Sequence, residues 1–223
     1  MSTNSLVFSL EMTSVSKNYL KDVLRALLHS IFFHRLLVNV TPREGHFLDS
    51  TVSMTDSKEV EELIEEKATE FHQKMSSPSS QQQGKIAVLF YEKKQKKIWF
   101  QFSKSEELIC WEQWAITITV VDPQTESERH KIRKTMERQL NQNLLKILNI
   151  INDHKEHIPS ITTTEGNPFP YQVAIPGYSE SWGAMIKRLL VTDAPVDGNG
   201  GVTSVGGSGG SEGNANTGTR ISN

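Results

Sequence analysis

The sequence has little cysteine, no marked excess of charge of either sign and no long apolar run. Its single cysteine, Cys110, excludes an intramolecular disulfide framework and a metal site built from several thiolates, which suits a reducing compartment. The formal net charge is −2, from 24 basic and 26 acidic residues. Such a balance favours neither nucleic acid nor an anionic membrane surface, so we predict no nucleic-acid partner.

The chain also lacks a segment that could cross or enter a membrane. No apolar run approaches the roughly 20 residues of a membrane-spanning helix. Residues 27–38 come nearest, but histidine, serine and arginine interrupt them. The N-terminus has neither the basic region nor the apolar core of a signal peptide. We therefore predict a soluble cytoplasmic protein with no membrane span.

Signatures of catalysis and of cofactor binding are missing as well. No glycine-rich phosphate loop lies between a strand and a helix, because the glycines concentrate near the C-terminus. The adjacent carboxylates Glu65-Glu66 and Glu106-Glu107 point apart. Ser208 has the glycine neighbours of a nucleophile elbow but not the required strand–turn–helix context. We predict no catalytic residue, no cofactor and no enzymatic activity.

Seven histidines invite a search for a metal site. Only His154 and His157 have a spacing that lets two side chains share a helix face, and no third ligand is evident. We therefore predict no metal site. A hydrolase that uses His154 or His157 is a further class of function, which activity assays on substituted protein would test. His29 and His34 point to different sides of their predicted helix, which favours packing over chemistry.

The clearest strand pattern follows Trp111 and begins at Trp114. Alternate residues from Trp114 to Val120 are apolar, whereas the residues between them are alanine or threonine. This pattern predicts a central strand with one buried face and places Trp111 and Trp114 in the core. Four more strands are predicted at Leu6–Met12, His46–Met54, Ile86–Tyr91 and Tyr171–Ile175, the last at an edge of the sheet because prolines flank it.

Helical periodicity marks four further segments. They begin after Ser16, after a capping box at Asp56 and Glu59, after a second capping box at Thr125 and Glu128, and at Trp182. The segment from Trp182 is predicted to be either an amphipathic helix or a folded-back arm. Asn39–Gly45 is predicted as a turn, and Ile158-Pro159 as the end of the third helix. We predict an α+β fold in which an antiparallel sheet, with Ile86–Tyr91 beside the opening strand, packs against about three long helices.

One domain is predicted over residues 1–195. From residue 196 to residue 223 the chain is rich in Gly, Ser and Asn and has almost no large apolar side chain. Such a segment cannot bury enough surface to offset the entropy of ordering, so we predict a disordered tail.

Trp99 and Phe100 are the candidate protein-binding residues. They are adjacent, so in an extended segment their side chains project to opposite sides and cannot both enter one face of a sheet. Exposed aromatic residues are enriched at the energetic centres of protein interfaces. The alternative is that both rings pack beneath the loop that carries them.

The order of several motifs resembles the autophagy-related protein 101 family, which has a HORMA domain. The motifs are His29 with Phe33-His34-Arg35, Phe90-Tyr91, Trp99-Phe100, Trp111-Glu-Gln-Trp114 and the long capped helix after Thr125. The resemblance covers about residues 5 to 195 and does not reach the Gly-rich tail.

This resemblance implies a non-catalytic adaptor in the autophagy-initiation kinase complex, located in the cytoplasm and at the preautophagosomal structure. Such a subunit pairs as a heterodimer with the HORMA domain of autophagy-related protein 13, stabilises it, and recruits downstream factors for autophagosome assembly through a Trp-Phe finger. Trp99 and Phe100 occupy the finger positions. A proline separates the aromatic residues in animal members but not here, so either Phe100 or Phe102 is the second finger residue.

The resemblance also implies that the partner binds the long helix after Thr125, because HORMA domains commonly pair through that helix. A second interpretation is a peptide-clasping HORMA adaptor of the spindle-checkpoint or chromosome-axis type. That function requires a mobile C-terminal arm that encloses a ligand, whereas members of this family resemble a single, open-like state. Hydrogen exchange over residues 160–195, with and without peptide, distinguishes the two.

Overall fold

A computed structural model describes residues 5–37, 40–77, 82–96, 105–161, 167–177 and 179–193. Within these residues the chain forms four α-helices and seven strands. The helices are α1 (Leu20–Arg35), α2 (Lys58–Ser76), α3 (Glu126–Asp153) and α4 (Trp182–Leu189). The strands are β1 (Leu6–Ser16), β2 (Pro42–Phe47), β3 (Ser50–Thr55), β4 (Gln83–Lys96), β5 (Ser105–Val121), β6 (Tyr171–Ala174) and β7 (Val191–Asp193). The predicted disordered tail and the domain boundary at residue 195 lie outside the described residues.

The main sheet has the strand order β1-β5-β4-β6, and β7 pairs with β5 beside β1. The prediction that the Trp114 strand is central is confirmed, since β5 has neighbours on both sides. The prediction of a wholly antiparallel sheet with β1 beside β4 is wrong, because β1 pairs with β5 and runs parallel to it. About 90 residues separate the two strands, which leaves ample chain for the crossover that parallel pairing needs.

Apolar side chains fill both faces of β4. Ile86, Val88 and Phe90 join the main core beneath the long helices, whereas Ala87, Leu89 and Tyr91 join a second, smaller core on the opposite face. Helix α4 covers that second core with Met185 and Leu189. Burial on both faces explains why this strand is a continuous apolar run instead of an alternating one.

The β2–β3 hairpin corrects two local predictions. Strand β2 begins at Pro42, inside the segment predicted as a turn, and the single strand predicted for His46–Met54 is divided by a tight turn at Leu48 and Asp49. Leu48 takes a left-handed backbone conformation there, with φ of 53°. A leucine gives no sequence signal for such a turn, because glycine and asparagine are the usual residues in this region.

The predicted start of α1 is also wrong. A short 3₁₀ helix, Lys17–Tyr19, follows β1, and neither Ser16 nor Tyr19 makes a side-chain capping hydrogen bond.

The capping box predicted from Asp56 and Glu59 is wrong because Ser57 caps α2, its hydroxyl accepting from Val60 N. The Asp56 carboxylate instead accepts a hydrogen bond from Thr41 N, which lowers the pKa of Asp56.

Helix α3 begins as predicted but ends early. Thr125 Oγ1 accepts from Glu128 N at 3.2 Å and the Glu128 carboxylate accepts from Thr125 N at 3.2 Å, so the second predicted capping box is confirmed. The helix ends at Asp153, before the predicted stop at Ile158-Pro159. Edge strand β6 and helix α4 are confirmed, whereas the sequence analysis missed β7, whose three residues are too few to show a period.

Candidate protein-binding site

The predicted finger residues Trp99 and Phe100 lie outside the described residues, but the strands that flank them are clear. Strands β4 and β5 pair as far as Lys96 and Ser105, and the intervening residues 97–104 form their connection. The last pair between β4 and β6 is at Phe90. The ladder therefore continues past β6 by six residues, or about 20 Å at the usual rise of a strand.

A buried polar cluster joins β5 to the ends of α1 and α3. The Glu112 carboxylate is fully buried and accepts hydrogen bonds from Arg35 Nε at 2.8 and 2.9 Å and from Trp114 Nε1 at 2.6 Å. Nε2 of His157 lies 2.7 Å from the second carboxylate oxygen. Arg35 also donates to the His154 carbonyl at 3.3 Å. The cluster therefore fixes the segment that follows α3 against the sheet.

A β-bulge explains how Glu112 enters the core. Phe90 pairs with Glu112 but Tyr91 pairs with Cys110, so Trp111 is an extra residue in β5. Before the bulge, Leu108 and Cys110 face the second core. After it, Glu112 and Trp114 face the main core, which Trp111 also joins. Burial raises the pKa of Cys110 to about 12, which disfavours its reactive thiolate form.

The outward face of α3 carries exposed leucines. Leu140 and Ile147 are fully buried against the sheet, as their spacing predicts, but Leu145 and Leu148 keep 59% and 46% of their surface exposed. The two leucines are neighbours on the helix and form an exposed apolar patch on its outward face.

Polar side chains of α3 cover the free edge of β1. Lys146 Nζ donates to the Ser9 carbonyl at 2.8 Å, and Asn143 Nδ2 donates to the Glu11 carbonyl at 2.9 Å. The side-chain oxygen of Gln139 accepts from Thr13 N at 3.0 Å. These contacts occupy the backbone groups with which a further strand would pair.

The histidines singled out in the sequence have packing contacts. His157 is held by Glu112, and the His154 ring lies 5.3 Å from the Phe8 ring. His29 is 2% exposed and stacks against Phe47, with 5.9 Å between ring centroids. His34 contacts Phe33 edge-on. In the described part of the chain, no three His, Cys, Asp or Glu side chains group closely enough to hold a metal ion.

Helix hydropathy gives no support for a membrane span. Among the described helices, none combines the length and the apolar character that crossing a bilayer demands.

The pairing of Arg35 with Glu112 was not predicted, although both residues belong to motifs noted in the sequence. The available signals were an arginine at the end of an otherwise apolar helix face and a glutamate between two tryptophans. The exposure of Leu145 was not predicted either. Neither the partner of Arg35 nor the exposure of Leu145 follows from periodicity, because both depend on how elements distant in the sequence pack together.

Comparison with known proteins gives one consistent result. The family model described as autophagy-related protein 101 matches residues 12–165. Similar proteins named autophagy-related protein 101 include one from Arabidopsis thaliana, 31% identical over 86% of this chain and 98% of the relative. One from Schizosaccharomyces pombe is 27% identical over 85% of this chain and 96% of the relative. The Homo sapiens protein is 25% identical over 67% of this chain and 73% of its own length.

Proposed function

Because this chain belongs to the autophagy-related protein 101 family, we propose that it is a non-catalytic adaptor subunit of the autophagy-initiation kinase complex. Family membership assigns it a role in autophagy. The adaptor role is supported by the exposed leucines of α3 and by the extended β4–β5 ladder, both of which offer surface for protein contacts. We further propose that the mixed sheet and its three long helices form a HORMA domain.

The proposed partner is the HORMA domain of autophagy-related protein 13, which this chain binds and stabilises through the outward face of α3. The single observation that carries this proposal is the exposure of Leu145 and Leu148 on a helix whose opposite face is buried. Burying both side chains at an interface stabilises the complex by roughly 25 cal/mol for each Å² of apolar surface removed from water.

The test is binding of the purified HORMA domain of autophagy-related protein 13, measured by calorimetry. The double substitution Leu145→Asp with Leu148→Asp is expected to abolish binding, since it places two carboxylates in an apolar contact. Ile161→Asp is the matched control, because Ile161 is 54% exposed outside α3. Circular dichroism establishes that each variant is folded. No binding by the folded wild-type protein at micromolar concentration contradicts the proposal.

The second proposed surface consists of Trp99 and Phe100, which recruit downstream autophagy factors. The support is their position in the sequence, between the last paired residues of β4 and β5. Joint substitution of both residues by alanine is expected to reduce recruitment and to leave pairing with autophagy-related protein 13 unchanged. Phe102→Ala tests which phenylalanine is the second finger residue. A loss of about 3–5 kcal/mol in unfolding free energy on the double substitution shows instead that the rings are buried.

We propose that the chain acts in the cytoplasm and at the preautophagosomal structure. Fluorescently tagged protein is expected to form puncta with autophagy-related protein 13 on starvation. The Leu145→Asp and Leu148→Asp double variant is expected to remain diffuse, because its recruitment depends on that pairing.

A further inference from the structure

The outward face of α3 carries a regular heptad pattern of exposed side chains. Exposed residues recur at alternating steps of three and four along about 31 Å of helix, estimated from 1.5 Å per residue. They are Lys131, Lys134, Arg138, Asn141, Leu145, Leu148 and Asn152. We call this set the outer seam. Steps of three and four are the spacing by which one helix packs along another.

A separate set of α3 residues already packs against the rest of the fold. Met136, Leu140, Asn143 and Ile147 are buried and lie on the opposite side of the helix. Helix α3 therefore has two seams, of which the inner one is occupied. Ser50 donates to Asn141 at 2.8 Å and thereby fixes the middle of the outer seam against the β2–β3 hairpin.

The outer seam is basic in its first half and apolar in its second. Lys131, Lys134 and Arg138 make no ion pair with any described residue, whereas Arg129 and Arg133 on the same helix pair with Glu126 and Glu137. Three cations in a row without carboxylates attract a partner of opposite charge. The second half presents Leu145 and Leu148, which gain from burial against aliphatic side chains.

A second copy of this chain does not match the outer seam. Parallel pairing places like charges together at Lys131, Lys134 and Arg138. Antiparallel pairing about Asn141 places Arg138 against Leu145 and Lys134 against Leu148, which desolvates cations on an apolar surface. Both arrangements are unfavourable, so charge complementarity selects a different protein.

We infer that the outer seam binds a helix of a partner protein whose acidic residues face Lys131, Lys134 and Arg138 and whose aliphatic residues face Leu145 and Leu148. This inference rests on the proposed function, because the same helix face is the proposed contact with autophagy-related protein 13. It adds the chemistry of the partner helix and the two-part division of the contact.

The first test reverses the charges of the basic half by joint substitution of Lys131, Lys134 and Arg138 with glutamate. Calorimetry with the HORMA domain of autophagy-related protein 13 is expected to show that this variant binds at least about tenfold more weakly than wild type. Wild-type binding is expected to weaken as salt is added, and binding by the variant is expected to lack this salt dependence. Joint substitution of Lys58, Lys93 and Lys187 with glutamate is the control, since these exposed lysines lie elsewhere and the net charge changes equally. The control is expected to bind as wild type does.

Outcomes of this test separate the inference from the proposed function. If the charge-reversed protein binds like wild type while Leu145→Asp with Leu148→Asp abolishes binding, the inference is overturned and the proposed pairing stands. If the folded wild-type protein does not bind autophagy-related protein 13, the proposed pairing fails. The inference is then decided by a second measurement that needs no known partner.

That second measurement uses two synthetic helical peptides whose seam positions carry glutamates in one half and leucines in the other half. In one peptide the glutamates come first along the chain, and in the other the leucines come first. One peptide is expected to bind wild-type protein and to lose binding on charge reversal of the basic half. Failure of both peptides to bind overturns the inference. So does a stable dimer of the chain alone in analytical ultracentrifugation that the Leu145→Asp and Leu148→Asp variant no longer forms, because the seam then accepts a second copy.

Discussion

Arg35 and Glu112 form an ion pair that is almost completely removed from solvent, with side-chain exposures of 2% and 0%. Arg35 is the last residue of α1, where a cation also favours the negative end of the helix dipole. Glu112 lies just after the bulge at Trp111. Trp114 and His157 complete the hydrogen bonds of the carboxylate, so the desolvated charge is well compensated. The pair connects α1, the central strand and the segment after α3.

Replacing Glu112 with glutamine is expected to lower the unfolding free energy by about 3–5 kcal/mol, because it leaves the Arg35 charge buried without a carboxylate. Urea denaturation followed by circular dichroism measures the change. Glu126→Gln removes an exposed ion pair with Arg129 and is expected to cost at most about 1 kcal/mol. If both substitutions lower the unfolding free energy equally, the Glu112→Gln variant does not leave the Arg35 charge buried without a partner, and the prediction is wrong.

The capping box at the start of α3 gives a second prediction. Thr125→Ala removes the hydroxyl that accepts from Glu128 N and is expected to cost about 1 kcal/mol in unfolding free energy. Thr125→Ser retains the hydroxyl and is expected to keep most of that stability. Equilibrium urea unfolding distinguishes them, and a serine variant as unstable as the alanine variant excludes capping as the cause.

Local patterns predicted much of this fold because their physical causes are local. The period of two from Trp114 to Val120 identified the central strand, and the capping residues Thr125 and Glu128 identified the start of α3. The same reasoning failed at Ser16 and Asp56, where a neighbouring turn or a contact with Thr41 supplies the geometry instead. At Asp56 the carboxylate accepts from Thr41 N, and the neighbouring Ser57 caps α2 instead.

Features that join distant parts of the chain were not predictable from periodicity. The parallel pairing of Leu6 with Glu112 depends on strand order, which no local pattern encodes. The bulge at Trp111 reverses which residues of β5 face each core, so alternation carried back from Trp114 would assign Cys110 to the wrong side. The partner of Arg35 lies 77 residues away. The finger prediction for Trp99 and Phe100 remains a prediction, because those residues lie outside the described ones.

His29 makes the stability of the protein depend on pH. Burial, together with the guanidinium groups of Arg25 and Arg43, lowers the pKa of His29 from 6.5 to about 4, although the Glu65 carboxylate opposes this. The folded state therefore prefers the neutral ring. The stabilisation is fully present above pH 6.5 and is lost as the pH falls from 6.5 toward 4, by at most about 1.4 kcal/mol per pH unit.

Thermal unfolding across this pH range tests the assignment to His29. His29→Leu is expected to flatten the decline, because no neutral ring remains to be protonated. His130→Asn is the control, since His130 is exposed on α3, and it is expected to retain the wild-type profile. His34, whose pKa burial also lowers, contributes in the same direction in both variants. A His29→Leu profile as steep as wild type assigns the pH dependence to other groups.

The C-terminal arm formed by α4 and β7 is expected to open independently of the main core. It is attached to the sheet by Met185 and Leu189 in the small second core, by the short pairing of β7 with β5 and by the hydrogen bond from Cys110 N to the Leu190 carbonyl at 3.0 Å. Segments with few buried apolar contacts open at lower free energy than the main core. Met185→Asp is therefore expected to accelerate hydrogen exchange across residues 182–193 and at Cys110, while the amides of α1 stay protected.

Gly183→Ala is the control, because a Cβ at this exposed helical position meets no atom within 4 Å and the substitution favours the helix. It is expected to slow exchange in the same residues, and loss of protection throughout α1 in the Met185→Asp variant would show that arm and core unfold as one unit.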